Sequence, residues 1–223
     1  MDKYFLTPPS DIETIRMFPD LEKAKTAADG NSIYGYVVRD IGGNIVYNPN
    51  PTLIGSIILY NAKKVADYIR DHEFVYGHAQ VNPALDHTER VVSCDRFAAW
   101  SLHRSGFDKG HPEKHGFTLY GAGNLESFLI ANGFERIEDV SQLIAGDIVF
   151  VGTSYELEAL ADDWKPYPAH VYVNASSCNS DGFSHRYDGG SIERIRSTQP
   201  SFELASTPPR RAFRFAYRAK EKE

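Results

Sequence analysis

The sequence predicts an α+β domain in which helices come first along the chain and antiparallel strands follow. From Thr52 to about His72, apolar residues recur at intervals of three and four, as on the buried side of a helix. After Asp147 the pattern changes to short runs rich in β-branched and aromatic residues, several of them alternating. Helices followed by antiparallel strands indicate an α+β layout, with the helices packed on a small antiparallel sheet.

Composition fits one globular domain with a small appendage. The 223 residues are 42% hydrophobic and 24% charged, ordinary values for a soluble folded chain. A net charge of −6 and an isoelectric point near 5.8 argue against nucleic acid as a partner. The longest apolar stretch, Leu53 to Leu59, is too short to span a membrane, so we expect no membrane insertion.

Two further features bear on location and covalent structure. The first residues, Met1 to Tyr4, lack the basic-then-apolar pattern of a secretory signal, so the sequence predicts synthesis in the cytoplasm without general export. Two cysteines cannot form a disulfide-rich scaffold. Cys178 lies in a turn-like run and is interpreted as an incidental turn residue.

Residues 1–50 are predicted to form a small N-terminal α/β module, for wall binding or for packing on the main domain. A Pro- and Asn-rich segment, residues 48–51, separates it from a main domain at 51–223. The expected elements of the module are a strand at 4–6, a helix at 20–28 with Asp20 as its N-cap, and a hairpin of strands 34–38 and 44–47.

The main domain is predicted to hold three helices and then four strands. The helices are expected at 52–72, 94–104 and 124–132, and the strands at 147–151, 170–174, 183–187 and 213–217.

Cys94 and His170 are the candidate catalytic residues. Cys94 opens the second of these helices, and the positive end of a helix dipole favours thiolate over thiol. His170 opens a strand, from which an imidazole could accept the thiol proton and later protonate a leaving amine. A cysteine and a histidine distant in sequence but adjacent in the fold indicate a nucleophile and its base.

Other polar motifs have ordinary interpretations. His111 and His115 flank a proline in a loop, and two histidines are too few ligands for a zinc site, so no metal is expected. Asp147 follows a glycine at a strand start, where a structural turn role is favoured over catalysis.

Four segments in order resemble landmarks of the NlpC-type and CHAP-type cysteine peptidoglycan hydrolases, which share a reduced papain-like fold. They are Phe74-Val75-Tyr76-Gly77 before the nucleophile, Val92 to Phe97 around it, Ala145 to Phe150 at the start of the sheet, and Ala169 to Val173 at the histidine strand. A fifth segment, Tyr187 to Ser191, resembles the Tyr-Asn-Ala-Gly-Ser run of many phage and bacterial members. The resemblance covers roughly residue 52 to the C-terminus.

The resemblance implies a Cys94-His170-Asp188 triad, in which Asp188 orients the histidine. His185 is the alternative third residue, because the family often uses histidine there. Phe74 stands where many members have an oxyanion-binding tyrosine, so the Cys94 N–H would hold the oxyanion, with Tyr76 as a helper.

The activity implied is amide-bond cleavage in bacterial peptidoglycan peptides, through an acyl-enzyme and without a cofactor. Without a signal sequence, such an enzyme would act at the wall as a released phage lysin, a virion-associated hydrolase or a delivered effector. Two alternatives remain open: a weakly active or inactive papain-like module that binds the wall, and a thiol hydrolase or acyltransferase with another substrate.

Overall fold

The computed structural model describes residues 3–76, 91–107, 122–153, 170–175, 181–183, 194–196 and 211–221. These residues form four α-helices: α1 (Leu21–Asp29), α2 (Leu53–Asp71), α3 (Cys94–Arg104) and α4 (Ala122–Ala131). The strands are β1 (Tyr4–Thr7), β2 (Arg16–Phe18), β3 (Val37–Arg39), β4 (Ile45–Tyr47), β5 (Val75–Tyr76), β6 (Val91–Val92), β7 (Glu135–Ile137), β8 (Ile148–Thr153), β9 (His170–Asn174), β10 (Asp181–Phe183), β11 (Arg194–Arg196) and β12 (Arg211–Arg218).

The N-terminal module is a four-stranded antiparallel sheet, in the order β2-β1-β3-β4, with α1 against one face. Small residues of α1, Ala24 and Ala28, pack on Leu6, Phe18 and Val38 of the strands. The predicted N-cap of α1 is confirmed, since the Asp20 carboxylate accepts a hydrogen bond from the Lys23 N–H at 2.8 Å.

The strand predicted to begin at Tyr34 begins three residues later. Residues Ser32–Tyr34 form a short 3₁₀ turn instead, and Gly35 follows it with a φ of +72°. A Cβ at Gly35 would lie 2.1 Å from the carbonyl oxygen of Ser56, so only glycine lets this turn lie directly against α2. The tertiary contact with α2, which apolar alternation cannot reveal, therefore sets where β3 starts.

The main sheet has the order β11-β10-β9-β8-β12-β7, and every neighbouring pair is antiparallel. Helices α2 and α3 pack together, and both contact β9. Val171 and Val173 of β9 join the core that these helices form, whereas Tyr172 belongs to a second cluster that includes Val149 of β8. The predicted α+β class, with helices on an antiparallel sheet, is confirmed.

The N-terminus of α2 is held by hydrogen bonds to two side chains, one at the beginning and one at the end of the main domain. The Thr52 hydroxyl accepts a hydrogen bond from the Gly55 N–H at 3.0 Å, and the Glu221 carboxylate accepts one from the Leu53 N–H at 2.8 Å. Gly146, with a φ of +91°, faces Gly55 so closely that a Cβ on Gly146 would lie 2.4 Å from the Gly55 Cα. The helix is thus held against the start of β8.

Other differences from the expected elements remain: the main sheet has six strands where four were expected, because β7 and β11 were not predicted. Strand β2 was not predicted, and neither was the parallel pairing of the two-residue strands β5 and β6. Helix α4 begins two residues earlier than expected. Of the strand expected at 183–187, Phe183 ends β10 and the rest lies outside the described residues. Across the described chain, no helix is both long and apolar enough to cross a membrane.

Candidate active site

Cys94 is the first residue of α3, as the sequence predicts. Ser93 before it has an extended backbone, with φ −99° and ψ 172°, which is the usual conformation of an N-cap residue. Residues 94–102 of α3 are all buried, and Phe97 and Leu102 belong to the main core. Cys94 is itself buried, with 6% of its surface exposed. The fold therefore fixes the thiol at the positive end of a helix, where the dipole favours thiolate.

The residues on either side of Cys94 hydrogen bond to each other. The Ser93 hydroxyl does not cap the helix; it donates instead to Oδ1 of Asp95. Asp95 is 2% exposed, and its second oxygen, Oδ2, accepts no hydrogen bond from the part of the chain that the structure describes. A buried carboxylate with an unused oxygen is costly. Beside a thiolate it is also a like charge, which opposes thiolate formation.

Phe74 lies in an aromatic cluster and not at an open surface. It is 2% exposed, and its ring centroid is 6.1 Å from that of Trp100 and 5.9 Å from that of Tyr68. Glu73, immediately before it, has a φ of +56°, a left-handed conformation that glycine adopts more readily. Glu73 follows the C-cap residue of α2, His72, and lies two residues before β5.

Tyr76 reaches the neighbourhood of the nucleophile through backbone pairing. It is the last residue of β5 and pairs in parallel with Val92 of β6, two residues before Cys94. The side chain of Tyr76 lies outside the described residues, so its proposed role at the oxyanion stays a prediction.

His170 is the first residue of β9, also as the sequence predicts, and it pairs in register with Val151 of β8. Because α3 packs on β9, the fold brings together the helix that begins at Cys94 and the strand that begins at His170. The His170 imidazole lies outside the described side chains. Both candidates for the third residue, Asp188 and His185, lie outside the described residues, as do Cys178 and the loop with His111 and His115.

Asp147 has the structural role that the sequence predicts. Its carboxylate accepts two hydrogen bonds from Arg218, at 2.9 and 2.8 Å, and one from the Ile144 N–H at 2.8 Å. Burial raises the pKa of the Asp147 carboxyl, and these three donors act in the opposite direction. The ion pair connects the turn before β8 to the end of β12.

Sequence reasoning missed the Ser93–Asp95 pair and the Asp147–Arg218 pair. The first had a local signal, because a serine at a helix start lies within reach of a carboxylate two residues later. The second joins residues 71 positions apart and had no local signal. Within the described residues, no three His, Cys, Asp or Glu side chains cluster closely enough to hold a metal ion.

Comparison with known proteins identifies no family for this chain, since no family model, no curated protein and no solved structure matches it significantly.

Proposed function

We propose that this protein is a cysteine hydrolase that cleaves amide bonds of bacterial peptidoglycan peptides. One observation carries the proposal: the helix that begins at Cys94 packs on the strand that begins at His170. A cysteine at a helix N-terminus beside a histidine strand is the arrangement that thiol hydrolysis needs. The choice of wall peptide as substrate rests on the sequence resemblance described above.

In the proposed reaction, the Cys94 thiolate attacks the carbonyl carbon of an amide, and the charge that develops on oxygen is stabilised by the Cys94 backbone N–H. His170, which has taken the thiol proton, gives it to the leaving amine as the C–N bond breaks. Water then attacks the acyl-enzyme, with His170 as the base, and releases the acid and the thiol. Asp188, or His185 in its place, would orient the imidazole.

The mechanism sets a geometric condition on the histidine strand. Val171 and Val173 are the residues of β9 that join the core around α2 and α3. Consecutive side chains on a regular strand point to opposite faces. Regular alternation would turn the His170 side chain to the face of Tyr172, opposite α3, so the proposal requires that the chain departs from this alternation at the first position of β9.

Digestion of purified cell walls tests the proposed activity. Wild-type protein, Cys94→Ala and the control Cys178→Ser are incubated with peptidoglycan sacculi from several bacteria, and released fragments are identified by mass spectrometry. We expect wild type and Cys178→Ser to release the same fragments. Cys94→Ala should release them more slowly by a factor on the order of 10⁴ or more. The new chain ends would name the bond that is cut.

A non-catalytic wall-binding module is the second candidate, and two observations favour it. Phe74 is buried in an aromatic cluster and carries no hydroxyl for an oxyanion, and Cys94 is itself 6% exposed. If wild type releases no fragments from any wall but pellets with sacculi, this second function replaces the first. If it does neither, while its Cys94 reacts rapidly with iodoacetamide, a thiol hydrolase or acyltransferase with a different substrate is indicated.

A further inference from the structure

The N-terminal module contains a cleft of about 340 Å³ between the loop that follows β1 and the turn that joins β3 to β4. Arg39 lines the cleft, and none of the lining residues belongs to α3. The volume falls within the range of small-ligand sites, which is about 300–1,000 Å³. The cleft is therefore a candidate binding site separate from Cys94.

Among the described residues, Arg39 is held in the cleft by neutral acceptors only. Its Nε donates to the Thr7 hydroxyl at 3.2 Å, Nη1 to the Gly43 carbonyl at 2.7 Å, and Nη2 to the Pro9 carbonyl at 2.8 Å. No ion pair to Arg39 occurs in the part of the chain that the structure describes. Guanidinium has five N–H groups, so one N–H on each terminal nitrogen remains. A carboxylate can accept from one N–H on each terminal nitrogen side by side.

The cleft also has apolar walls that face water. Ile12 in the loop and Ile41 in the turn are each 76% exposed, and the partly buried Phe5 also lines the cleft. Exposed apolar side chains around a polar anchor are typical of a binding surface. Since Arg39 donates to the backbone of both the loop and the turn, the two walls are held in place before any ligand arrives.

Asp40 limits the charge of an anion that the cleft would accept. Its carboxylate accepts hydrogen bonds from the Asn44 side chain and from the Asn44 backbone N–H, and these lower its pKa. Asp40 is therefore ionised at neutral pH, and it lines the same cleft as Arg39. Because Arg39 and Asp40 bring one positive and one negative charge to the cleft, we expect it to bind a monoanion in preference to a dianion such as phosphate.

We propose that this cleft binds the C-terminal carboxylate of a short peptide that ends in a small apolar residue. The carboxylate accepts hydrogen bonds from the two remaining N–H groups of Arg39, and the apolar side chain packs against Ile12 and Ile41. This site goes beyond the proposed hydrolysis, and it gives the N-terminal module a ligand of its own.

Titration with a matched pair of peptides tests the proposal. The full chain carrying Cys94→Ala is titrated with acetyl-alanyl-alanine and with its C-terminal amide, by calorimetry or by NMR chemical shifts. We expect saturable binding of the acid and binding of the amide that is weaker by about tenfold or more, as when a charge-assisted pair of hydrogen bonds is lost. Inorganic phosphate should not displace the acid. Equal affinities, displacement by phosphate, or no saturable binding of the acid would each overturn the proposal.

Two exposed positions locate the binding without disturbing the fold. Ile41→Ser should weaken binding of the acid about three- to tenfold, by loss of apolar contact, with no change in melting temperature. Met17→Ser is the control, because Met17 is 54% exposed in the same module and does not line the cleft. Unchanged affinity in Ile41→Ser would contradict the site. Because binding and not cleavage is measured, this result is independent of whether Cys94 is a nucleophile.

Discussion

Two buried aspartates in the main domain have opposite surroundings. Asp147 is 1% exposed and receives two hydrogen bonds from Arg218 and one from a backbone N–H. Asp95 is 2% exposed and receives one, from Ser93, while its Oδ2 has no partner among the described residues. No described cation lies within ion-pairing distance of Asp95, so among the described residues only the Asp147 charge is paired.

The difference indicates which of the two carboxylates has a purely structural role. A buried charge that is fully paired and hydrogen bonded is compatible with a stable domain, and Asp147 joins two parts of the sheet in this way. A buried polar group that lacks hydrogen-bond partners lowers stability. A role in a functional site is one reason why a protein retains such a group. Asp95 adjoins the candidate nucleophile, Cys94. We therefore expect substitutions around Asp147 to change stability alone, and substitutions at Asp95 to change the chemistry of the thiol as well.

The largest effect is expected when Arg218 is replaced by methionine. Arg218→Met leaves the Asp147 charge buried without its partner, which should cost about 3–5 kcal/mol of unfolding free energy at neutral pH. Urea unfolding measures this loss. Arg70→Met is the control, because Arg70 forms ion pairs on the surface of α2, where the expected cost is about 1 kcal/mol or less.

The same variant should lose stability in a pH-dependent way. Burial already raises the pKa of Asp147, and without Arg218 that pKa rises further. A carboxyl whose pKa is raised on folding contributes most favourably below its ordinary pKa of about 3.9, and the contribution is lost as pH rises through the folded-state value. The deficit of Arg218→Met relative to wild type should therefore shrink as the pH is lowered. A deficit that is the same at acidic and neutral pH would contradict this account of Asp147.

Ser93→Ala should cost about 1–3 kcal/mol, because it leaves both oxygens of the buried Asp95 carboxylate without a donor among the described residues. The loss cannot be a capping effect, since the Ser93 side chain does not cap α3. Thr52→Ala is the matched control, since Thr52 does cap α2 and its loss should cost about 1 kcal/mol. Equal losses of unfolding free energy in the two variants would mean that the hydrogen bond from Ser93 to Asp95 stabilises the fold no more than an ordinary helix cap does.

Asp95→Asn should separate stability from reactivity. Removing a buried charge that has no ion-pair partner among the described residues should raise the unfolding free energy by about 1 kcal/mol. It should also make Cys94 react faster with iodoacetamide at neutral pH, by up to about tenfold, because a like charge beside the thiolate is gone. Slower alkylation would show that Asp95 promotes thiolate formation, which is the reverse of our interpretation.

The smallest effect is expected from Glu73→Gly. Relieving the left-handed backbone at the end of α2 should raise the unfolding free energy by about 1 kcal/mol. Neither buried carboxylate is touched, so the alkylation rate of Cys94 should stay the same. If the Cys94 alkylation rate rose together with the unfolding free energy, reactivity would follow global stability. Faster alkylation of Asp95→Asn could then not be attributed to the lost charge.

The sequence predicts the elements of the candidate site well and their polar connections poorly. The helical run from Cys94 and the β-branched run from His170 were enough to place the starts of α3 and β9, although residues 94–102 and 171–174 are buried on all sides. The pairing of Val75 with Val91 and of Asp147 with Arg218 depends on how distant segments meet. No periodicity within one segment carries that information.

The central claim is that His170 activates Cys94, and the pH dependence of Cys94 alkylation tests it most directly. Iodoacetamide labelling is followed from acidic to alkaline pH in Cys178→Ser protein, with and without His170→Gln. The account predicts that Cys94 reacts well below the ordinary thiol pKa of about 8.5, and that His170→Gln moves the profile to higher pH. Superimposed profiles would contradict the claim, and Cys94 would then be a buried thiol with no base beside it.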